Sequence, residues 1–233
     1  MIDISNTMIA GLVPALRGMR NSFNSHDKSD TDFYDFDTKY YPVPHRDDPC
    51  VLDDIYMGEK DRQLATKLIQ AGEPHCKFRR MIQVWCDINA PLFWWKQYDT
   101  YKVGTVANSE STMHNILDRP FTMDNFTIID TDEPIWDRII YALNGMRDRY
   151  VRAKADDDKM LMHIYWRTII EALPSGYMQK RTVNLNYSVL SAIYKQRWCH
   201  KLNEWIEFCS WIESLPYSEF ITLKLKEEYS DEN

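Results

Sequence analysis

The sequence predicts a mixed α/β chain of the α+β class, and three observations carry that prediction. One stretch alternates at strand period, several segments carry apolar residues at helical spacing, and the strand-like stretches are separated by helices without any internal repeat. The alternation is clearest in residues 81–88. There Ile82, Val84, Cys86 and Ile88 interleave with Met81, Gln83, Trp85 and Asp87, the pattern of a half-buried strand. Pro91 follows, well placed at the first turn of a short aromatic helix from Leu92 to Tyr98, and a polar Ser/Thr/Asn loop runs on to His114. This order sets hydrogen-bonding side chains just beyond a helix that begins at a strand end, a layout suited to a phosphorylated or nucleotide-like ligand.

The remaining elements follow from local signals. Residues 5–26 combine apolar residues that can pack with a basic and polar patch at Arg17, Arg20, Asn21 and Ser22. Residues 27–54 are rich in Asp, Tyr and Pro and read as a long, acidic, irregular surface insertion. Residues 59–71 place Leu64, Ala65, Leu68 and Ile69 on one helix face, with Gly72 just past the end. A helix over 134–152 presents Ile135, Ile139, Ala142, Leu143 and Met146, and a second spans Lys159–Ala172 with Asp156–Asp158 at its N-terminus. Leu173-Pro174-Ser175-Gly176 stops it. A strand over residues 178–183 then leads into a long helical region from Leu185 to Ser214, broken at most once. The sheet is too short to stand alone, so the helices must form a layer over it. Residues 1–233 read as one domain with a frayed tail at 227–233.

Composition narrows the function. A net charge of −7 argues against nucleic-acid binding by phosphate neutralisation, while leaving room for a small anionic ligand held by a local basic cluster. Five cysteines without CxxC or zinc-like spacing predict reduced thiols and no metal site. The absence of a leader-like segment or a long apolar run predicts a cytoplasmic protein without membrane contact. Trp85, Trp94 and Trp95 read as packing residues, and His163, on an apolar-rich helix, as a core histidine.

No glycine-rich phosphate loop, HExxH pattern or nucleophile triad is evident. Three polar clusters carry the available chemistry. The first comprises Gln97, Tyr101, Lys102, Thr105, Asn108, Ser111 and His114; the second comprises Arg197, His200, Lys201 and Glu204, which spacings of three and four put on one helix face; the third is the N-terminal basic patch.

These features resemble the flavin-dependent thymidylate synthases. The matching parts are His75 to Phe78 ahead of the strand, Ile88 through Phe93 (INAPLF), Gln97, and the loop Tyr101–His114 in place of the family signature RHRxxSxNExSxRY. Leu173-Pro174, Tyr177 and Thr182-Val183-Asn184-Leu185 follow in family order, then Arg197, His200, Glu204-Trp205 and Ile206. The N-terminal ALRGMRNSF resembles the family's A-R-x-S stretch. The matches keep their order over about four-fifths of the chain.

The resemblance implies a small curved mixed sheet under a helical layer and a homotetramer with sites between subunits. It implies reductive methylation of dUMP to dTMP with reduced FAD, methylene folate and NADPH being co-substrates, and no enzyme nucleophile. It assigns Gln97, Asn108, Ser111 and Arg197 to the nucleotide. Lys102, Thr105, Asn184 and His200 go to the flavin, together with His75, which serves either ligand. The departures fall in the signature. Thr100, Tyr101 and Lys102 replace Arg-His-Arg, and Thr105 replaces Ser. With one inserted residue, Asn108 and Ser111 align, while Ser109 replaces Glu and Met113 replaces Arg; Glu207 lies near a position where many members carry Arg. Arg-to-Lys loses a bidentate fork and Arg-to-Thr loses the charge, with Arg17, Arg20, Arg79 and Arg80 as candidate replacements. The alternatives are a non-catalytic nucleotide-binding or regulatory protein on the same fold, and an enzyme acting on another pyrimidine nucleotide.

Overall fold

The computed structural model describes residues 1–33, 50–51, 55–128 and 133–223. The expected insertion at 27–54 therefore lies partly, and the tail at 227–233 wholly, outside the described residues. Mixed α/β architecture is confirmed. A five-stranded sheet has the order β3-β1-β5-β7-β6, from β1 (Asp3–Ala10), β3 (Cys50–Val51), β5 (Gln83–Pro91), β6 (Val106–Ser109) and β7 (Met178–Asn186). β1 and β3 run parallel, with Met8 opposite Cys50 and Ile9 opposite Val51. A separate antiparallel pair joins β2 (Asp32–Phe33) to β4 (Ile55–Tyr56).

The chain divides into two compact units. One holds Asn89–Thr100 and Asn108–Arg181; the other holds Ile2–Ile88, Tyr101–Ala107 and Thr182–Asn233. β5 passes from the second to the first after Ile88, and β7 returns after Arg181. In β5 the alternation is as the sequence predicts, with Val84, Cys86, Ile88 and Ala90 fully buried and Gln83, Trp85, Asp87 and Asn89 half-buried. Burial pushes the Cys86 thiol far above its ordinary range, with a smaller contribution from the charge of Asp87, so it serves as a small core hydrophobe.

In the first unit, α3 (Leu92–Tyr98) buries Trp94, Trp95 and Tyr98, with Trp94 stacked on Tyr98 at 5.2 Å and edge-on to Trp95 at 4.9 Å. The opening amides of this helix are already used: Leu92 N–H donates to the Tyr177 carbonyl at 3.0 Å and Phe93 N–H to that of Ser175 at 2.9 Å. Two long helices, α5 (Glu133–Ala155) and α6 (Lys159–Ala172), form a hairpin. Asp158 caps α6 by accepting from Leu161 N–H at 3.0 Å, as its position in the sequence predicts. Their core joins Leu143 and Ile169 to Ile116, Leu117, Phe121 and Phe126. His163 departs from expectation, being exposed beside the Trp166 ring rather than buried. Only Ile169 of α6 is fully buried, although the helix is mostly apolar.

In the second unit, α1 (Leu12–Asn21) and α2 (Glu59–Gln70) pack together, and α7 (Tyr187–Arg197) packs on α8 (Asn203–Ser214) and on the turn Lys77–Arg80. Within the basic patch of α1, Arg20 proves to be structural. Arg20 donates to Asp61 at 2.6 Å, and Asp61, with no exposed surface, also accepts from Ser29 and Thr31 at 2.5 Å each. Asp30 accepts the Lys60 and Asp61 amides at 3.0 and 3.3 Å, capping α2. Gly58 makes this possible, since a Cβ there would lie 2.2 Å from the Asp30 carbonyl oxygen. The start of the acidic segment, at Ser29–Thr31, is thus fastened to α2 rather than being a free surface insertion.

Burial raises the Asp61 pKa, but the hydrogen bonds from Ser29, Thr31 and Arg20 and the charge of Arg20 outweigh it, leaving the group below its ordinary value. A depressed carboxylate stabilises the fold above the unfolded-state pKa, and this contribution is lost as pH falls through the folded-state value. Asp61→Ala strands the buried Arg20 guanidinium and should cost about 3–5 kcal/mol in urea unfolding at neutral pH. The difference from wild type should shrink at acid pH; a cost below about 1 kcal/mol would contradict the account.

Candidate functional site

The strongest polar constellation lies at the end of α7. The sequence expectation of one helix face carrying Arg197, His200, Lys201 and Glu204 is corrected here. Arg197 closes α7, His200 and Lys201 occupy the connecting turn, and Glu204 sits in the first turn of α8. The cause is local: His200 Nδ1 accepts the Leu202 amide at 3.1 Å, a side-chain-to-backbone bond that competes with helix continuation. The break brings Trp205, fully buried, under the Arg197 guanidinium at 4.7 Å from its ring centre.

Tyr101 completes the arrangement. Its hydroxyl accepts from Arg197 Nε at 2.9 Å and donates to Gln196 Oε1 at 2.9 Å, and its ring lies edge-on to Trp205 at 6.1 Å. Arg197 is therefore fixed through Nε, its guanidinium lying over Trp205 and 5.8 Å from the Tyr101 ring centre. The His200 pKa is lowered, first by burial and then by the charges of Arg197 and Lys201, so a positive field reaches the imidazole. The loop carrying Tyr101 is itself braced: the Thr105 hydroxyl donates to the Tyr101 carbonyl. Gly104, at φ +78°, packs beside Asn186 and Val189, where a Cβ would lie 3.0 Å from the Asn186 amide nitrogen.

The other predicted residues divide as follows. Lys102 is exposed on the Tyr101 loop, and Asn184 on β7 donates to the Val84 carbonyl at 3.2 Å. His75 is exposed in the short 3-10 turn Glu73–His75 of the same unit. Gln97, Asn108 and Ser111 belong to the first unit: Gln97 is half-buried near the end of α3, and Asn108 is exposed on β6. Ser111 stands at the N-cap position of the one-turn helix α4 (Thr112–Asn115). The predicted loop beyond Tyr98 thus contains a strand and a helical turn. The Glu110 amide donates to the Lys180 carbonyl at 2.8 Å, tying this segment to the region of β7.

One group was named in the sequence only as a possible replacement charge. Arg79 is 2% exposed, and its Nη1 meets Ser191 Oγ at 3.3 Å and Glu73 at 3.5 Å. Its Nε and Nη2 have no hydrogen-bond partner among the described residues. Burial lowers its pKa, with weaker opposing contributions from Cys76 and Glu73. A buried guanidinium so poorly compensated is an energetic liability that an oxyanion would relieve, because Nε and Nη2 form the side-on fork that binds carboxylates and phosphates. The only sequence signal was the Arg79-Arg80 pair preceding β5.

No protein-family model matches the chain. No curated protein matches it either. Solved structures do. Thymidylate synthase X from Helicobacter pylori, determined with FAD and dUMP, superposes with a TM-score of 0.64 at 14% identity, covering 94% of this chain and 96% of that one. The UMP/dUMP methylase PolB from Streptomyces cacaoi, bound with 5-Br dUMP, gives 0.58 at 12% identity, covering 96% and 94%. Nearly the whole chain thus has the fold of the flavin-dependent thymidylate synthases, as the ordered sequence matches predict.

Proposed function

We propose that the chain is a flavin-dependent enzyme of thymidylate-synthase type acting on a pyrimidine nucleotide, converting dUMP to dTMP by reductive methylation. The observation that carries this reading is the Arg197 guanidinium, braced by Tyr101 and Trp205 on a fold whose solved representatives hold FAD and dUMP. In this reading Arg197, Gln97, Asn108 and Ser111 bind the nucleotide. Lys102, Thr105, Asn184, His200 and His75 contact FAD, and methylene folate and NADPH are co-substrates.

The residues present fit anionic ligands. Arg79 offers an unused buried fork, and Arg197 and Lys201 impose a positive field on His200. When bound, FAD supplies the hydride for the reductive step. The chain contributes binding and orientation: Trp205 gives Arg197 a flat support and Tyr101 fixes its Nε.

In this reading the chain forms a homo-oligomer, a tetramer in its specific form. Met160 and Ile164 on α6, 69% and 46% exposed, offer apolar surface for contact with another copy. A second reading has the same fold acting on another pyrimidine nucleotide or serving as a non-catalytic binder. It is favoured by Tyr101, an uncharged residue committed to Arg197 where the family signature has His. dTMP formation from dUMP by the flavin-loaded protein separates the two.

Calorimetry should register dUMP and FAD binding, and Arg197→Met should weaken dUMP by about 1.5–3 kcal/mol, the cost of one charge-assisted contact. In the nucleotide complex a bound phosphate offsets the positive field, so the His200 pKa followed by NMR should rise on binding. A colourless protein that binds neither ligand, or a His200 pKa that falls on nucleotide addition, would contradict this reading.

A further inference from the structure

A cleft of about 830 Å³ lies wholly within the Asn108–Arg181 unit, among α4, α5 and α6. Its volume is in the range of small-molecule sites, which run from roughly 300 to 1,000 Å³. Two features define its chemistry. One wall is aromatic: Tyr150 and Trp166 both pack against the unit's core, and the Trp166 indole N–H donates to the Met113 carbonyl at 3.0 Å, which fixes the ring. The polar rim carries Lys154 and His114, neither of which has an ion-pair partner among the described residues.

The other charged groups are accounted for. Arg147 is spent on the wall itself, donating to the Leu117 carbonyl at 3.1 Å and the Asp118 carbonyl at 3.4 Å. Its Nη1 also lies 3.9 Å from Asp148. Asp118 contributes the one carboxylate of the lining, an acceptor for ligand hydroxyl or N–H groups. The Lys154 ammonium and the His114 imidazole beside a fixed aromatic wall suit a ligand that is both flat and anionic.

We infer that this cleft is a binding site for an aromatic ring bearing a phosphate or carboxylate, the ring lying against Tyr150 and Trp166 and the anionic group on Lys154 with His114. The argument uses none of the Arg197 cluster and does not rest on the flavin or dUMP reading. Ser111, assigned above to the nucleotide, stands at the cleft's edge.

The test is calorimetric titration of the full chain with AMP, adenosine, ribose 5-phosphate and 4-hydroxybenzoate, with thermal melting as a check on each variant. AMP should bind at least about tenfold more tightly than adenosine or ribose 5-phosphate, since it alone of the three offers both ring and charge. Lys154→Met should bring AMP down to the level of adenosine, and Tyr150→Leu should bring it towards ribose 5-phosphate, while Arg197→Met should leave AMP binding in place. Displacement of AMP by 4-hydroxybenzoate would assign the site to aromatic acids as well, and failure to displace it would restrict the site to phosphates; either result upholds the inference. Equal binding of AMP and ribose 5-phosphate, no AMP binding at all, or a loss confined to Arg197→Met would overturn it. The last outcome would move the binding to the Arg197 cluster and so leave the nucleotide reading standing.

Discussion

The hydrogen bond from Arg197 Nε to the Tyr101 hydroxyl, made over the Trp205 ring, is the constraint on which the functional architecture turns. It requires α7 to end at Arg197, the chain to turn at His200, and α8 to begin early enough to place Trp205 beneath the guanidinium. It also requires the Tyr101 loop to approach α7, which the Gly104 backbone permits and the Thr105 hydroxyl braces. A guanidinium over an aromatic face gains roughly 0.5–2 kcal/mol depending on its exposure. The larger consequence is orientational, because a guanidinium held through Nε and laid over a ring keeps a defined plane.

This arrangement changes the meaning of the altered signature. Thr100-Tyr101-Lys102 looks like a loss when read as missing charge, since only Lys102 is cationic. In the fold, Tyr101 acts on a cation from a different element, and the positive field at His200 comes from Arg197 and Lys201. Of the arginines considered as replacements, Arg20 is consumed by Asp61, whereas Arg79 is buried with its Nε and Nη2 unpartnered among the described residues. The sequence placed the two on equal terms. Only tertiary context separates a structural arginine from one poised for an anion.

What was legible in the sequence followed local periodicity. The β5 alternation, the Gly72 stop after α2 and the Asp158 cap of α6 all rest on short-range rules, and all are present. β1 was not legible because its pattern is inverted: Ser5 and Thr7 face inward with Ile9 while Met8 is exposed, and Thr7 is satisfied by the distant Trp211 indole at 3.1 Å. The α7–α8 break was misread for a related reason. Nothing in Trp198-Cys199-His200-Lys201-Leu202 is a helix breaker, and the turn depends on a histidine ring accepting a backbone amide. Of the candidate site, Arg197, Tyr101 and His200 were visible as polar residues in family order. Their mutual geometry was not, because it joins positions nearly a hundred residues apart.

The central claim is that this fold, with its displaced cationic recognition, still holds a flavin and a pyrimidine nucleotide. Native mass spectrometry of the freshly purified protein tests it most directly, because retained ligands and subunit number are read in one spectrum. The account predicts a homo-oligomer, tetrameric in its specific form, that carries FAD and gains mass on addition of dUMP. A monomer that retains no ligand and takes up neither FAD nor dUMP would contradict it.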